Sequence, residues 1–293
     1  MKLITVLGWE QRYISGLNEI LSLYDLEHVY LICFKDYLYM DNMNENLRET
    51  IQLIGKLNIT HNVIELEYED SVYNWHILHS FFNTSDFKNI LLNLTTIPRE
   101  TIWTILFFLK NYVSKVNYIY YKPDSYDKSE GGLTKNHKQP RLLFKHSGLF
   151  DIDKKLIILI ITGFDHNRAD LLVEHFEPEK VIFLSQSGKQ YENMVRNSGV
   201  SFSGAYESTI IENIEFDSYD IINSHRIINE LINDHKNYNL IISSQGPKIS
   251  AISTYMSYLD NKQLALAYVP AREFSGNYSV GIDLAPISGV INF

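Results

Sequence analysis

Short, continuous runs of apolar residues recur along this chain, and they constrain its fold more than any other feature of the sequence. In the first half they occupy residues 3–8, 28–34, 61–68, 89–95 and 116–123, and the series restarts at 155–163, 180–185, 239–244 and 265–270. Runs that are continuous rather than alternating are typical of strands covered on both faces, as in parallel sheets flanked by helices. The segments between them have helical spacing, so the pattern predicts an α/β fold.

The turns that follow these runs indicate two copies of one unit. The matching positions are Gly8 with Gly163, Pro98 with Pro247, and Pro123 with Pro270. We therefore expect two tandem Rossmann-like units with mainly parallel sheets, related by internal duplication. The expected boundaries are repeat 1 at 1–135, a polar linker with locally basic charge at 136–154, and repeat 2 at 155–293.

Charge and hydropathy exclude several classes of protein. The formal charge of −9 argues against direct binding of duplex nucleic acid, which usually requires a basic face. The apolar stretch at Met1–Leu7 is too short for a signal peptide, and no later run reaches the length of a membrane span. We therefore expect a cytoplasmic protein without membrane contact.

Motifs for common cofactors are missing from the sequence. It contains no G-x-G-x-x-G, no P-loop and no G-x-S-x-G elbow, so we expect no cofactor. His76 and His79 are three residues apart, but without a carboxylate at ligand spacing they fit an amphipathic helix better than a metal site. The single cysteine, Cys33, lies in an apolar run and is expected in a buried strand.

The turn "SSQGPK" in the second half has the chemistry of an anion site. Gly246 allows close backbone approach, Pro247 suits a first helical turn, and helix N-terminal amides attract anions. Lys248 adds a positive charge beside Ser244 and Gln245. The alternative is an ordinary strand-to-helix cap that uses Ser244.

The first half has a similar turn, "TTIPR", in which Thr95, Thr96 and Arg99 repeat the hydroxyls and the cation. We expect both turns to contact a phosphate-bearing ligand at the carboxyl ends of the strands, where open α/β sheets bind ligands.

Each first strand ends in a glycine, an aromatic residue and an acid. The candidates are Gly8, Trp9, Glu10 and Arg12 in the first half and Gly163, Asp165 and Arg168 in the second. The acids can accept hydrogen bonds from a ribose or base, or act as catalytic acid or base. The alternatives are that Trp9 packs in the core and that each acid pairs with its neighbouring arginine.

Two other segments offer ligand contacts. Gln186 and Lys189 follow the second strand of repeat 2 and can reach a phosphate or base, unless they form only a solvated helix start. Tyr278 and Ser279 lie in a Gly-punctuated loop that can close over a ligand or form a β-turn at the sheet edge.

A strand ending in "NLT", followed by a turn and a cation that opens a helix, resembles the second signature of CRISPR-associated Rossmann-fold (CARF) domains. The matching residues are Asn93, Thr95 and Arg99 in the first half, and Ser244, Gly246 and Lys248 in the second. The Gly-Gly pair of that signature is replaced by Thr96-Ile97, and the second half lacks the Asn-x-Thr opening. The resemblance implies binding of cyclic oligonucleotides across a two-fold axis, which a tandem copy would imitate within one chain.

The leading hypothesis is therefore a nucleotide-binding sensor for a cyclic or oligonucleotide second messenger in a bacterial defence-type system, acting through a separate effector protein. The alternatives are an enzyme that cleaves or transfers a phosphodiester or glycosidic bond, with Glu10 or Asp165 as acid or base, and an interaction scaffold.

Overall fold

The structure is a computed structural model that describes residues 1–40, 42–126, 134–187, 209–275 and 279–293. In chain order the first elements are β1 (Lys2–Val6), α1 (Gln11–Leu23), β2 (His28–Phe34), a 3₁₀ turn (Lys35–Tyr37), α2 (Met43–Lys56), β3 (Thr60–Leu66), α3 (Ser71–Thr84), β4 (Ile90–Asn93), α4 (Arg99–Leu109), β5 (Lys115–Tyr120), β6 (Ser125–Tyr126), β7 (Thr134–His137) and β8 (Arg141–Leu142). They are followed by β9 (Leu156–Ile161), α5 (His166–Phe176), β10 (Lys180–Gln186), β11 (Ile210–Phe216), α6 (Ile221–Asp234), β12 (Asn239–Ser244), α7 (Ser250–Asp260), β13 (Ala265–Tyr268), β14 (Ala271–Phe274), β15 (Ser279–Val280) and β16 (Ile287–Asn292).

The chain folds into two compact units. Unit 1 comprises Met1–Glu130 with Phe274–Phe293, and unit 2 comprises Gly131–Glu273. The sheet of unit 1 has the strand order β16-β5-β4-β1-β2-β3, in which β1 to β5 pair in parallel and β16 is antiparallel to β5. The sheet of unit 2 has the order β11-β10-β9-β12-β13-β8, with β8 as its antiparallel edge. Both orders carry the central crossover of a doubly wound fold, which confirms the predicted Rossmann-like class.

Central strands are buried along nearly their whole length. Four residues of β1, six of β2, five of β9 and all six of β12 are buried, because helices cover both faces of a mainly parallel sheet. Cys33 is a buried residue of β2, as its apolar surroundings predicted. No helix in the described ranges is long and apolar enough to span a membrane.

One strand of unit 2 was not anticipated. Strand β11 has the sequence "IIENIEF", and its burial alternates because it lies at the edge of the sheet beside β10 alone. An edge strand needs no continuous apolar run. Because β11 contains charged residues, it did not match the pattern of continuous apolar runs from which strands were predicted.

The antiparallel edges come from segments that the sequence analysis assigned elsewhere. β16 lies in the sheet of unit 1, although residues 155–293 were expected to form repeat 2. β8 lies within the expected linker, 136–154, and pairs with β13 in unit 2. A strand pairs with whichever open edge accepts its backbone, and that edge need not belong to the preceding strands.

Candidate functional site

Three polar residues meet at the carboxyl ends of the strands in unit 2. Thr162 follows β9, Gln186 ends β10, and Ser218 comes two residues after β11. The Gln186 main-chain N–H donates to Thr162 Oγ1 at 3.2 Å, and the Ser218 main-chain N–H donates to Gln186 Oε1 at 3.3 Å. The adjacent strand ends are therefore joined by a short polar network.

This network contains two buried polar atoms that make no hydrogen bond to any residue in the described part of the chain. Gln186 is 3% exposed and Ser218 is fully buried. Among the described residues, neither Gln186 Nε2 nor Ser218 Oγ has a hydrogen-bond partner. A buried donor that makes no hydrogen bond costs about 1–3 kcal/mol, and such groups in a strand-end crevice are candidates for ligand contacts.

Ser218 was not among the residues predicted from sequence. It follows β11, which itself was missed, so nothing marked the serine as a strand-end residue. Only its last four residues, "NIEF", alternate between polar and apolar, and this short alternation is the signal that the sequence offered for the strand.

The two predicted glycines of unit 2 pack against each other's turns. A Cβ atom on Gly246 would lie 2.8 Å from the Thr162 carbonyl oxygen and 3.2 Å from Gln186 Nε2. A Cβ atom on Gly163 would overlap the main chain of Gln245. These glycines are required for the close approach of β9 and β12, and Gly246 also lies directly beside the Gln186 amide.

Lys248 lies in the turn that leads into α7 and is half-buried. The helix begins at Ser250, two residues beyond the lysine. Ser250 Oγ lies 2.5 Å from Ser244 Oγ and donates to the Pro247 carbonyl at 2.6 Å. Ser244 thus contacts the first residue of the helix through its hydroxyl, but it is not the helix cap, which is Ile249 and makes no side-chain cap hydrogen bond. Lys248 supplies a cation at the same turn.

The equivalent strand ends of unit 1 contain aromatic rings. Phe34 ends β2 and Tyr68 comes two residues after β3, the places that Gln186 and Ser218 hold in unit 2. Their ring centroids are 5.8 Å apart. Tyr37 packs 4.9 Å from Tyr68, and Trp9 packs 5.8 Å from Tyr37 and 5.4 Å from Phe274. The corresponding strand ends of unit 1 therefore carry packed aromatic side chains, and Trp9 belongs to this cluster.

The predicted turn of unit 1 is occupied by internal hydrogen bonds. Thr95 Oγ1 accepts from the Tyr121 main-chain N–H at 3.1 Å, and Thr96 Oγ1 donates to the Val6 carbonyl at 2.5 Å. A Cβ atom on Gly8 would lie 2.5 Å from Thr96 Cγ2. Arg99 is the first residue of α4 and is only 6% exposed. Both threonines therefore hold strand ends together.

Glu10 and Arg12 form a buried ion pair in unit 1. Arg12 Nε donates to Glu10 Oε2 at 2.8 Å, and Nη2 donates to Oε1 at 3.1 Å. Glu10 also accepts from the Ser279 hydroxyl, and the two charged residues are 5% and 1% exposed. Burial alone would lower the pKa of Arg12, but the Glu10 carboxylate raises it well above its ordinary value, so the pair is charged. This geometry matches the pairing alternative for Glu10.

Asp165 occupies the matching position in unit 2 and is half-buried. Its Oδ2 accepts from Thr134 Oγ1 at 2.7 Å, and Oδ1 accepts from the Thr134 main-chain N–H at 3.3 Å. Arg168 donates to the Val269 carbonyl and lies 5.2 Å from the ring centroid of Tyr268. Glu10 and Asp165 thus each accept a hydrogen bond from a hydroxyl on a strand of a two-stranded sheet, Ser279 in β15 and Thr134 in β7.

Lys189 and Tyr278, two further predicted ligand residues, lie outside the residues that the structure describes. Within the described ranges, no three His, Cys, Asp or Glu residues are grouped so that they could hold a metal ion. In unit 2 the strand-end residues Gly163, Gln186, Ser218, Gln245 and Gly246 lie together, and Lys248 follows two residues after Gly246 in the same turn.

No protein-family model matches this chain, and no curated protein matches its sequence. Its fold is similar to a solved structure described as a Type III CRISPR defence DNA nuclease activated by cyclic oligoadenylate, with a TM-score of 0.59. The similarity covers 96% of this chain and 67% of that chain, at 7% sequence identity. At that identity the likeness concerns the fold alone, and it agrees with the Rossmann-like α/β architecture of this chain.

Proposed function

We propose that this chain is a nucleotide-binding sensor whose ligand contacts the strand ends of unit 2. The observation that carries the proposal is the pair of buried polar atoms, Gln186 Nε2 and Ser218 Oγ, at positions where unit 1 has Phe34 and Tyr68. A buried amide and hydroxyl reduce the stability of the empty protein, and a ligand with hydrogen-bonding groups would recover that cost.

The charge of the crevice favours a phosphate-bearing ligand. Lys248 is half-buried in the turn before α7, two residues after Gly246. An ammonium group near a helix start attracts phosphate oxygens, and the Gln186 amide is suited to a phosphate or a base edge. We therefore assign phosphate contact to Lys248 and polar recognition to Gln186 and Ser218.

The class of ligand is proposed from the comparison of folds. The nuclease with the similar structure is activated by cyclic oligoadenylate, and this chain has a similar fold over nearly its whole length. We propose a cyclic or oligonucleotide second messenger and a role in a CRISPR-type defence response in the cytoplasm. The two sheets, with their shared strand order, are proposed to have arisen by internal duplication. Because both units are Rossmann-like, the response is proposed to pass to a separate effector protein.

The proposal is tested by calorimetric titration of the full chain with mononucleotides, linear oligonucleotides and cyclic oligonucleotides, including cyclic oligoadenylate. Binding should be saturable and should weaken by about 0.5–1.5 kcal/mol in Gln186→Leu, because a hydrogen bond from the side-chain amide to the ligand is lost. Gln263→Leu is the matched control, since Gln263 is an exposed glutamine of the same unit. Absence of binding to every nucleotide would refute the proposal, and equal weakening in both variants would move the site elsewhere.

A further inference from the structure

A basic segment lies within this acidic chain and is not used by the proposed nucleotide site. Residues 134–142, "TKNHKQPRL", contain two lysines, one arginine and one histidine, and no acid, whereas the chain as a whole has 26 basic and 35 acidic residues. The structure brings this segment onto unit 2, where β7 pairs with β14 and β8 pairs with β13.

The pairing creates a cavity of about 660 Å³ within unit 2. The lining residues that matter here are Asn136, His137, Lys138, Arg141, Arg272 and Glu273. Three of them are permanent cations and one is an acid, and that acid, Glu273, accepts a hydrogen bond from Asn136 Nδ2. The described part of the lining therefore carries more positive than negative side chains, in a protein with a formal charge of −9.

The size and chemistry of the cavity define what can bind there. Its volume is within the range of about 300–1,000 Å³ that is usual for small-ligand pockets. None of the lining residues that the structure describes is Phe, Tyr or Trp, so this part of the lining offers charge and hydrogen bonds rather than a surface for stacking bases. Two arginines supply planar donors that match phosphate oxygens, and Lys138 supplies a compact charge.

We infer that this cavity is a second anion site, which binds the phosphate groups of a multiply charged phosphate ligand. It shares no lining residue with the crevice of Gln186, Ser218 and Lys248, and the inference therefore goes beyond the nucleotide site proposed above. The ligand class is a polyphosphate or the phosphate backbone of a short oligonucleotide, recognised through Lys138, Arg141 and Arg272.

A hydrogen-bond chain fixes one wall of this cavity. Thr134 Oγ1 donates its only proton to Asp165 Oδ2 at 2.7 Å, so the 2.7 Å contact with His137 Nε2 requires that nitrogen to be the donor. His137 is thereby held in one orientation against the acid that starts α5. A rigid wall lowers the entropy cost of binding, since less side-chain freedom is lost when the ligand enters.

The experiment is calorimetric titration of the full chain with inorganic pyrophosphate at fixed ionic strength. The pocket variant is Lys138→Ala with Arg272→Ala, and the control variant is Lys236→Ala with Lys262→Ala, which removes two exposed lysines from the same unit. We expect the pocket variant to bind pyrophosphate at least about tenfold more weakly, while the control variant and Lys248→Ala retain binding at this site.

Three results would overturn the inference. They are no binding of pyrophosphate to the unmodified chain, equal weakening in the pocket and control variants, and loss of all binding in Lys248→Ala. If circular dichroism shows that the pocket variant is unfolded, Lys138→Gln with Arg272→Gln is titrated in its place and judged by the same outcomes. If the unmodified chain binds pyrophosphate but no nucleotide, the result counts against the proposed nucleotide-binding function and leaves the second anion site standing.

Discussion

Arg12 Nη1 lies 3.3 Å from the carbonyl oxygen of Tyr121, so the helix after the first strand is bonded to the residue that follows the fifth. Unit 2 has the same relationship, since Arg168 in α5 donates to the carbonyl of Val269, the residue that follows β13. In each unit the arginine joins the end of the central strand, β1 or β9, to the end of a strand that lies one strand away, β5 beyond β4 or β13 beyond β12. These two arginines therefore have a structural part at the strand ends.

The Glu10–Arg12 pair provides the first prediction. Glu10→Gln leaves the guanidinium buried without its counter-charge, and we expect the free energy of unfolding to fall by about 3–5 kcal/mol. Urea denaturation measures the change. In the control Glu230→Gln the exposed pair with Arg226 is lost, and we expect a change below about 0.5 kcal/mol. Equal effects of the two substitutions would contradict the prediction.

The second prediction concerns Gly163. In Gly163→Ala the new Cβ atom meets the main chain of Gln245, which cannot rotate away, so we expect a loss of stability of about 1–3 kcal/mol or more. Gly55→Ala is the control, because nothing lies within 4 Å of a Cβ atom there and the residue is helical. This control should be stabilised by up to about 1 kcal/mol. A neutral Gly163→Ala variant in thermal melts would disprove the close contact.

Acid should destabilise the protein through three histidines. Burial, the largest cause in each case, lowers the pKa of His28, His137 and His235, and the charge of Arg168 lowers that of His137 further, against the opposing effect of Asp165. The unfolded chain then binds protons first, so stability is full above a pH of about 6.5 and decreases as the pH falls through the lower folded pKa values.

Melting temperatures of the unmodified chain and of His137→Asn, measured between pH 8 and pH 5, would test this dependence. The variant removes one of the three histidines, so its melting temperature should decrease less between pH 8 and pH 5 than that of the unmodified chain. A melting temperature that rises on acidification would show that the sign is wrong. Hydrogen bonds from lysines are the main cause that lowers the pKa values of Asp86 and Asp283. The stability that these two carboxylates provide is lost only near and below a pH of about 4, outside the measured range.

Ser218 separates stability from binding. Because its hydroxyl has no partner among the described residues, Ser218→Ala should leave the free energy of unfolding unchanged or raise it by about 1 kcal/mol, while nucleotide affinity falls. Ser224→Ala is the control, since that buried hydroxyl donates to the Asp217 carbonyl at 2.7 Å and its loss should cost about 1 kcal/mol. Equal losses of stability in denaturant titrations would show that Ser218 is satisfied.

Lys248 and Arg99 should differ in the kind of defect that they cause. Lys248→Ala is expected to weaken nucleotide binding by about 1.5–3 kcal/mol with little change in melting temperature, because the side chain is half-buried in a turn. Arg99→Ala is expected mainly to lower the melting temperature, since Arg99 is 6% exposed. Calorimetry paired with thermal melts would distinguish them, and the reverse pattern would place the site in unit 1.

Several residues of the proposed site were singled out from sequence because their positions depend on local chemistry. Gly163, Gln186, Gln245, Gly246 and Lys248 follow apolar strands, and a residue after a parallel strand lies at the ligand edge of the sheet. Gly246 was expected to let a ligand approach the backbone closely. In the structure, the space that a Cβ atom would fill at Gly246 is bordered by the Thr162 carbonyl oxygen and the Gln186 amide nitrogen. That contact joins residues far apart in the chain, which local sequence does not report.

Sequence by itself determined the α/β class and the central strands, because continuous apolar runs are the direct signature of strands buried on both faces. Tertiary structure alone decided that β16 and β8 close the sheets, that β11 brings Ser218 to the crevice, and that "TKNHKQPRL" lines a cavity. Those features depend on pairing and packing between residues distant in sequence, where an open edge or an unfilled volume selects its partner. The hydropathy pattern along the chain predicts which segments are buried, and only the tertiary structure determines which residues each segment contacts.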